Sequence, residues 1–498
     1  MKPLRIFLFF LGVFALLALL AWGIPDRGIQ VAGILHLDFY QFTRPGPDSL
    51  PDARETAVRL LAGSSVTSDP EYESGLSLFS EDEADGTTKG DSVTGPSAVL
   101  PFVAPVDIDS LRASTQRIEV APELQPRLDD FFLQLEALGG EGGEGQTRIL
   151  HYGDSQIEND RMTALLRFRL QKHFGGSGTG LVPAVPLYSG NMAFQQEIRG
   201  KWLRYTYFGK RDTSIRHRSY GAMGAFASVP VAGEGSWPGL TYRFNTRRQT
   251  GQVEQVKVFL HSYVERAAIA YEIDENLRDT LRGLPSGFSV ATLAVPEGME
   301  ELRLDFRFPQ GGRIYGISFE SRDGIQVDNI AMRGGSGLIF SKMDRENLAR
   351  MMDRLSPGML LLQFGGNAVP YINPSFYYRT FSRELRTLRD LCPAVPVIVI
   401  GPADMSIKEG GEFVTNPNLE PVRDALKRAA LDNGVGFWDL YEAMGGENSM
   451  PSFVQSDPPL ASADHVHFTP LGGNLVAEMF YKSLMLEYAG FQEKRKQP

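Results

Sequence analysis

Apolar residues in the second quarter of the chain recur first at helical spacing and then as a short strand. The helical pattern ends at Gly139, and its apolar positions are Leu128, Phe131, Phe132, Leu135 and Leu138. Residues 148–152 predict a short strand, and a Gly-Asp-Ser-Gln turn at 153–156 leads into a second helical pattern that reaches Leu170. This stretch therefore predicts a strand, a tight turn and a helix.

From about residue 187 to residue 328 the pattern changes to short strands separated by turn residues, which is typical of a β-sandwich. The predicted strands are 256–260, 268–271, 288–290, 302–306 and 314–317. Beyond residue 329 the two patterns alternate, with strands at 359–364, 397–400 and 436–439 and helices at 376–391, 421–431 and about 470–488. Alternation predicts a mostly parallel sheet covered on both faces. The chain is thus expected to be an α/β domain interrupted by an all-β insertion.

The first 25 residues indicate in which cellular compartment the rest of the chain lies. Lys2 and Arg5 precede an apolar run at 6–25 that is long enough, at about 20 residues, to span a bilayer as a helix. Basic residues before the run predict a cytoplasmic N-terminus and an exported remainder, held by a membrane anchor. A cleaved signal peptide is the alternative. The Ser-, Gly- and acid-rich stretch at 64–96 predicts a flexible spacer after the anchor.

Composition excludes several classes of function. The formal net charge of -10 gives no reason to expect nucleic acid as a partner, since phosphates require a basic face. The single cysteine, Cys392, excludes an internal disulfide framework and a multi-cysteine metal site. The glycine-rich run at 175–180 lacks the lysine of a phosphate loop. We therefore expect neither a metal nor a nucleotide cofactor.

Ser155 is a candidate nucleophile because of its position. It follows the first predicted strand of the α/β domain, at the carboxyl end where open α/β sheets bind ligands. The start of the next helix supplies unpaired N–H groups and a positive dipole end, which suit a developing oxyanion. The alternative interpretation is a plain turn with an N-cap, because Gly, Asp and Ser all favour such places.

Asp464 and His467 are candidates for the rest of a triad. They lie three residues apart in a loop ahead of the last predicted helix. At this spacing the carboxylate can accept a hydrogen bond from Nδ1 and leave Nε2 to take the serine proton. The same pattern also fits a loop with solvated charges. Further candidates for the base are His151, His173 and His465.

Two glycine-containing turns could supply oxyanion donors. Asn367 ends a Gly-Gly-Asn turn directly after the strand at 359–364, where its side-chain N–H could reach the ligand position of the serine. Losing one such donor typically costs about a hundred- to thousandfold in turnover. Gly334 or Gly335, in a second glycine-rich turn, could bring a backbone N–H close to a ligand. For both segments a structural glycine turn is the alternative.

In their order along the chain, these four pieces resemble the SGNH/GDSL hydrolase superfamily over about residues 145–488. The resemblance implies Ser155 as nucleophile, Asp464 and His467 as orienter and base, and an oxyanion hole of the Ser155 N–H, Gly334 (or Gly335) and Asn367. It also implies a three-layer, flavodoxin-like parallel sheet. Gln156 departs from the pattern, since many members have Leu or His at that position.

Within the superfamily, the position of the inserted β domain makes the chain similar to bacterial peptidoglycan O-acetylesterases. The inserted β domain of those enzymes resembles a carbohydrate-binding module. The sandwich is accordingly expected to be jelly-roll-like, and glycan binding is its possible function. The expected domains are an anchor or signal segment at 1–25, a mostly disordered acidic linker at 26–121, catalytic segments at 122–186 and 329–490, and the β-sandwich at 187–328.

The resemblance implies a serine esterase that acts through an acyl-enzyme on an O-acetylated glycan outside the cytoplasm. An O-acetyltransferase would use the same residues and would need a membrane acyltransferase partner to deliver acyl groups. A glycan-binding protein without catalysis is the third hypothesis, and a lipase is disfavoured because no long apolar lid lies near the site segments. Four aromatic residues could stack on sugars, although aromatics in a β domain more often fill the core: Trp202, Tyr205, Tyr207 and Trp237.

Overall fold

The computed structural model describes residues 115–139, 143–188, 193–231, 237–245 and 251–496, together with residues 29–31, 35–37 and 60. The predicted anchor at 1–25 lies outside the described residues, as does most of the predicted linker. Among the residues that are described, no helix has both the length and the apolar character needed to cross a membrane.

The strands of the described residues are, in chain order, β1 (Ile29–Val31), β2 (Leu35–Leu37), β3 (Ile118–Glu119), β4 (Gln146–Gly153), β5 (Gly180–Val182), β6 (Phe194–Arg199), β7 (Leu203–Thr206), β8 (Ala225–Val229), β9 (Gly239–Phe244), β10 (Gln255–Ser262), β11 (Ala267–Ile273), β12 (Leu277–Leu284), β13 (Gly287–Ala294), β14 (Glu301–Arg307), β15 (Gly312–Glu320), β16 (Gly324–Ala331), β17 (Met359–Gln363), β18 (Val397–Ile400), β19 (Ser406–Glu409), β20 (Glu412–Thr415) and β21 (Gly436–Trp438). β1 and β2 pair with each other in antiparallel fashion.

The α-helices of the same residues are α1 (Gln125–Leu138), α2 (Thr163–Phe174), α3 (Arg345–Leu355), α4 (Pro374–Leu391), α5 (Leu419–Asp432), α6 (Leu440–Met444), α7 (Ser449–Gln455) and α8 (Pro470–Lys496). Two short 3-10 helices lie at Ser155–Asp160 and Phe340–Lys342.

The main sheet is parallel apart from one edge. Its strands lie in the order β16, β4, β17, β18 and β21, with β3 antiparallel beside β21. Numbered by their order in the chain, the parallel strands run 2-1-3-4-5, which is the order of flavodoxin-like sheets. The predicted parallel α/β sheet is therefore confirmed. The order reverses between β4 and β17, and ligands bind at the carboxyl ends of the strands at such a switch point.

Both faces of this sheet are covered by helices. In β17, Met359 and Leu361 pack in the layer that contains α1, α2 and α8, whereas Leu360 and Leu362 pack in the layer that contains α3, α4 and α5. Successive strand residues point to opposite faces, so a strand covered on both sides needs apolar residues throughout. This is why residues 359–362 of β17 form a continuous apolar run.

The inserted β domain consists of two antiparallel sheets. One has the order β13, β10, β15, β8 and β7, with β5 also beside β15, and the other has the order β12, β11, β14, β9 and β6. Val256, Val258 and Leu260 alternate along β10 and join the apolar core of this domain. The five strands predicted here match β10, β11, β13, β14 and β15 to within four residues at each end.

The predicted domain limits need small corrections. β5 already pairs with β15, ahead of the predicted start of the insertion at residue 187. β16 belongs to the parallel sheet, although the predicted insertion runs to residue 328. β3 lies in the range predicted to be mostly disordered, yet it pairs with β21. β3 and β5 have only two and three residues, which is too short for a strand period to show in the sequence. β16, which leads from the insertion back into the parallel sheet, does not differ in composition from the strands before it.

A buried ion cluster joins the parallel sheet to the β domain. Arg148 in β4 donates two hydrogen bonds of 2.8 Å to Asp328 in β16 and also pairs with Glu320 in β15. Lys257 of β10 adds a second cation to Glu320. The Arg148 side chain is 2% exposed and the two carboxylates are fully buried. Because an unpaired buried charge is costly, the cluster favours a single arrangement of the two domains.

Candidate active site

Ser155 lies at the switch point of the sheet, one turn beyond β4. Gly153 ends the strand where a Cβ would come within 2.8 Å of the Ile157 side chain, so a larger residue would displace that side chain. Asp154 then caps the 3-10 helix by accepting a 3.0 Å hydrogen bond from the Gln156 N–H. The sequence at 153–156 thus places the Ser155 hydroxyl at the carboxyl edge of the sheet.

The sequence pattern predicts a helix directly after the serine turn. In the structure the chain first forms a 3-10 turn and a bend. Glu158 is extended, and Asn159 and Asp160 have φ angles of 57° and 64° in the left-handed region. Asn and Asp tolerate this region better than other residues with a side chain. The α-helix starts only at Thr163, so the 3-10 turn, and not α2, provides the free N–H groups next to the serine.

Ser155, His467 and Asp464 form one hydrogen-bonded chain. The distance between Ser155 Oγ and His467 Nε2 is 2.8 Å, and the distance between His467 Nδ1 and Asp464 Oδ2 is 2.7 Å. The serine and the histidine are 312 positions apart in the sequence. The structure thus brings together the three residues that the sequence nominated, and their catalytic roles stay a prediction.

The loop before α8 holds His467 by its own turn. The second carboxylate oxygen of Asp464 accepts the backbone N–H groups of Val466 and His467, both at 3.0 Å. His465, with φ of 57°, makes the sharp bend between them, and its ring stacks on Phe413 at 3.6 Å between centroids. The hydrogen bonds within residues 464–467 thus hold the carboxylate against the imidazole.

Two carboxylates at the site have shifted pKa values of opposite sign. Burial by itself would raise the pKa of Asp464, but hydrogen bonds from the His467 backbone and ring and from Val466 hold it below the usual range. Burial raises the pKa of Asp154 to about 6, and its hydrogen bonds and the nearby His467 oppose this only in part. Asp464 is therefore well suited to stay ionised beside an imidazolium.

Asn367 lies beside Asp154, after β17. Its side-chain nitrogen donates to Asp154 Oδ2 and to the Gly335 carbonyl, both at 3.2 Å. Both partners accept hydrogen bonds, which fixes the amide with its nitrogen toward them. The predicted donor thus reaches the neighbourhood of the serine, but its two N–H groups already have acceptors in this structure.

The glycine loop offers one free backbone donor. The Gly335 N–H donates to the Met332 carbonyl at 2.7 Å. The Gly334 N–H has no acceptor among the described residues, and Gly334 itself is exposed with φ of 73°. Of the two glycines nominated from the sequence, Gly334 is therefore the one with an N–H available to a ligand.

The other candidate histidines occupy different environments. His151 is buried between Thr163 and Gln363, at 3.0 Å and 3.1 Å, and burial lowers its pKa to about 4. Burial also lowers the pKa values of His173 and His465. Of the four histidines considered, His467 is the one that is hydrogen-bonded to Ser155.

Gln156 is a site residue that sequence reasoning did not find. Its side-chain nitrogen donates to the Val466 carbonyl at 2.6 Å, and its oxygen accepts the Phe468 N–H at 3.4 Å. These two contacts flank His467 on either side along the chain. The residue next to the candidate nucleophile therefore ties the histidine loop to the serine turn. The only sequence signal was its departure from the superfamily pattern.

The four aromatics considered for sugar stacking are mostly packed against protein. Trp202 meets Phe306 edge-on, Tyr205 lies 5.1 Å from Phe226, and Tyr207 lies 5.2 Å from Tyr220, between ring centroids. Trp237 is 38% exposed, with the Arg307 guanidinium 5.5 Å from its ring. Three of these rings thus have aromatic neighbours, as the alternative interpretation expected. Within the described residues, no group of three or more His, Cys, Asp or Glu side chains is placed to hold a metal ion.

No protein-family model and no curated protein matches the sequence. Among solved structures, that of a peptidoglycan O-acetylesterase is similar with a TM-score of 0.59 at 22% sequence identity, covering 73% of this chain and 96% of that one. The chain has the fold of that esterase. The fold expected from the SGNH/GDSL resemblance is thereby confirmed.

Two more solved structures show weaker likeness. A family two carbohydrate esterase from Clostridium thermocellum gives a TM-score of 0.25 at 12% identity, covering 58% of this chain and 100% of that one. A GDSL-like lipase from Bacteroides ovatus gives 0.23 at 15% identity, covering 49% and 82%. At such TM-scores neither adds to what the first comparison shows.

Proposed function

We propose that this protein is a serine ester hydrolase with Ser155 as its nucleophile. The observation that carries the proposal is the hydrogen-bonded chain from Ser155 Oγ through the His467 ring to Asp464. If residues 153–156 were only a structural turn with an N-cap, there would be no reason for a histidine 312 positions away to contact Ser155. A carboxylate with lowered pKa behind the histidine is what a general base requires.

The reaction follows from this geometry. His467 Nε2 takes the proton of the Ser155 hydroxyl as Oγ attacks the ester carbonyl carbon, and Asp464 stabilises the imidazolium. His467 then gives the proton to the alcohol oxygen, the C–O bond of the ester breaks, and the acyl group stays on Ser155. Water, deprotonated by the same histidine, then attacks the acyl carbon, the bond to Ser155 Oγ breaks, and His467 returns the proton to Oγ as the carboxylic acid leaves.

We assign the oxyanion hole to the Ser155 and Gly334 N–H groups and to Asn367. Neither backbone N–H has an acceptor among the described residues, so both are free to meet a new negative charge. Asn367 must exchange one of its two 3.2 Å hydrogen bonds for a bond to the oxyanion. A charge-assisted bond is stronger than the long neutral one to the Gly335 carbonyl, so the exchange is favourable in the transition state.

We propose an O-acetylated glycan as the substrate. The support is the fold shared with a peptidoglycan O-acetylesterase over 73% of this chain, which is more than the two predicted catalytic segments contain. The shared part therefore includes β-domain residues. We further propose that the folded part lies outside the cytoplasm and is tethered by residues 1–25, because Lys2 and Arg5 precede the apolar run.

Acetate release from O-acetylated peptidoglycan tests the substrate proposal. The wild-type protein should release acetate, and Ser155→Ala should release none above the uncatalysed rate. Glu447→Gln, a change at an exposed residue that is not among the candidate site residues, serves as the matched control. If acetate instead appears on an added sugar acceptor, the protein is a transferase, which would imply a membrane acyltransferase partner as the donor. Absence of any acetate release from acetylated glycans would contradict the proposal.

A further inference from the structure

An open groove of about 500 Å³ lies beside the candidate active site. It is lined by Tyr188, Arg204, Arg333 and four aliphatic residues. Arg333 directly precedes Gly334, and its ion-pair partner Glu158 lies three residues after Ser155. The groove therefore borders both the turn that carries the nucleophile and the loop that carries an oxyanion donor.

Arg333 is held rigidly in this groove. Its Nε donates to Glu158 Oε2 at 2.5 Å and its Nη2 donates to Oε1, so the guanidinium meets the carboxylate with two bonds. The guanidinium also lies 4.8 Å from the centre of the Tyr188 ring. Tyr188 in turn accepts the Arg333 N–H and donates to the Ala331 carbonyl. Nη1 of Arg333 makes no hydrogen bond with any described residue, and the side chain is 61% exposed.

Arg204 supplies a second cation to the same groove. It lies in β7 and is exposed, and its side chain has neither an ion pair nor a hydrogen bond to any residue that the structure describes. Glu158 is 7% exposed and neutralises one of the two arginines. The groove thus has one positive charge in excess, which matches a single carboxylate better than a dianionic phosphate. The Tyr188 ring and the aliphatic side chains suit the C–H face of a sugar.

We propose that this groove binds a carboxylate of the substrate, so that the enzyme prefers acetylated glycans with a carboxylate close to the ester. The inference rests on the proposed esterase function and adds the substrate class. Arg204 and Nη1 of Arg333 donate to the carboxylate oxygens, the geometry for which guanidinium groups are suited. The carboxylate can belong to an acidic sugar or to a peptide attached to the glycan.

The test compares charged and neutral forms of two substrates. One pair is an O-acetylated polyuronate and its carboxyl-reduced form, and the other is O-acetylated peptidoglycan with free or amidated peptide carboxylates. Acetate release gives kcat/KM for the full-length wild type, Arg204→Gln, Arg204→Lys and Arg282→Gln. Arg282 is an exposed arginine of β12 without a described ion pair, and it is the matched control.

The wild type should favour the charged member of at least one pair, and that pair identifies the source of the carboxylate. Arg204→Gln should reduce the preference by about three- to tenfold, the range for a partly exposed charged hydrogen bond. Arg204→Lys should retain most of the preference because it keeps the charge, and Arg282→Gln should retain all of it.

Two kinds of result would overturn the groove proposal, and they differ in whether the proposed function also fails. Equal kcat/KM for the charged and neutral forms of both substrates would refute the groove assignment and leave the esterase function standing, as would an equal loss on both forms in Arg204→Gln. If no glycan releases acetate while p-nitrophenyl acetate is still hydrolysed, the glycan proposal fails and the groove proposal fails with it.

Discussion

Replacing Gln156 by Leu, the residue found in many SGNH proteins, should reduce turnover more than it reduces stability. Gln156 joins the serine turn to the histidine loop through the Val466 carbonyl at 2.6 Å and the Phe468 N–H at 3.4 Å. Leu fills a similar volume and removes both hydrogen bonds. The loop then keeps its own turn at Asp464 and the stacking of His465 on Phe413, but no tie to the serine turn through Gln156.

The expected size follows from these contacts. A neutral hydrogen bond is worth about 0.5–1.5 kcal/mol net, so one short and one long bond together contribute about 1–2 kcal/mol to the free energy of unfolding. A displacement of about 1 Å between reacting groups can cost roughly a hundredfold in rate. We therefore expect kcat on p-nitrophenyl acetate to fall by about ten- to a hundredfold.

Gln196→Leu is the matched control for this prediction. The Gln196 side chain also makes two hydrogen bonds, here donating both, to the Ala184 carbonyl at 2.6 Å and to the Tyr242 hydroxyl at 3.0 Å, but it lies in β6 of the inserted domain. It should lose similar stability in urea denaturation and keep its kcat on the small ester. If Gln156→Leu lost stability but kept wild-type kcat, Gln156 would not position the histidine and the reasoning would be wrong.

Three further predictions concern buried groups. Asp154→Asn places an amide N–H group against the Asn367 amide, so kcat should fall by about a hundredfold in steady-state assays, and an unchanged kcat would exclude Asn367 as an oxyanion donor held by Asp154. Arg148→Met leaves the buried Asp328 without an ion-pair partner among the described residues and Glu320 with Lys257 alone, and it should lower the free energy of unfolding by about 3–5 kcal/mol in urea titrations, where a neutral effect would contradict the ion cluster. Burial lowers the pKa of His151 from 6.5 to about 4, so the unfolded chain binds the proton first and stability is lost as the pH falls through that window. In His151→Gln the free energy of unfolding should fall less steeply between pH 7 and pH 5 than in the wild type. An unchanged slope would mean that another group causes the loss of stability.

The candidate nucleophile and the Asp464–His467 pair could be nominated from the sequence because each depends on a short local pattern. Ser155 follows a strand at a Gly-Asp-Ser turn, and the spacing of Asp464 and His467 lets them meet within one loop. The parallel sheet was predictable for the same reason, since the first four residues of β17 and all four of β18 are apolar, as a strand covered on both faces requires.

Contacts between distant segments were out of reach of local patterns. The role of Gln156 depends on the loop 310 positions away, and no period or turn signal relates the two. The pairing of Asn367 with Asp154 depends equally on how β4 and β17 lie side by side. The bend at Asn159 was missed because helical spacing of the apolar residues hides a short left-handed turn.

Hydrolysis of p-nitrophenyl acetate by the wild type, Ser155→Ala and His467→Ala most directly tests whether Ser155 is an activated nucleophile. A measurable wild-type rate that falls by at least about a hundredfold in both variants is the expected result, well within the losses known for triad residues. A wild-type rate no higher than that of the two variants would contradict the serine mechanism, and glycan binding without catalysis would then explain the fold better.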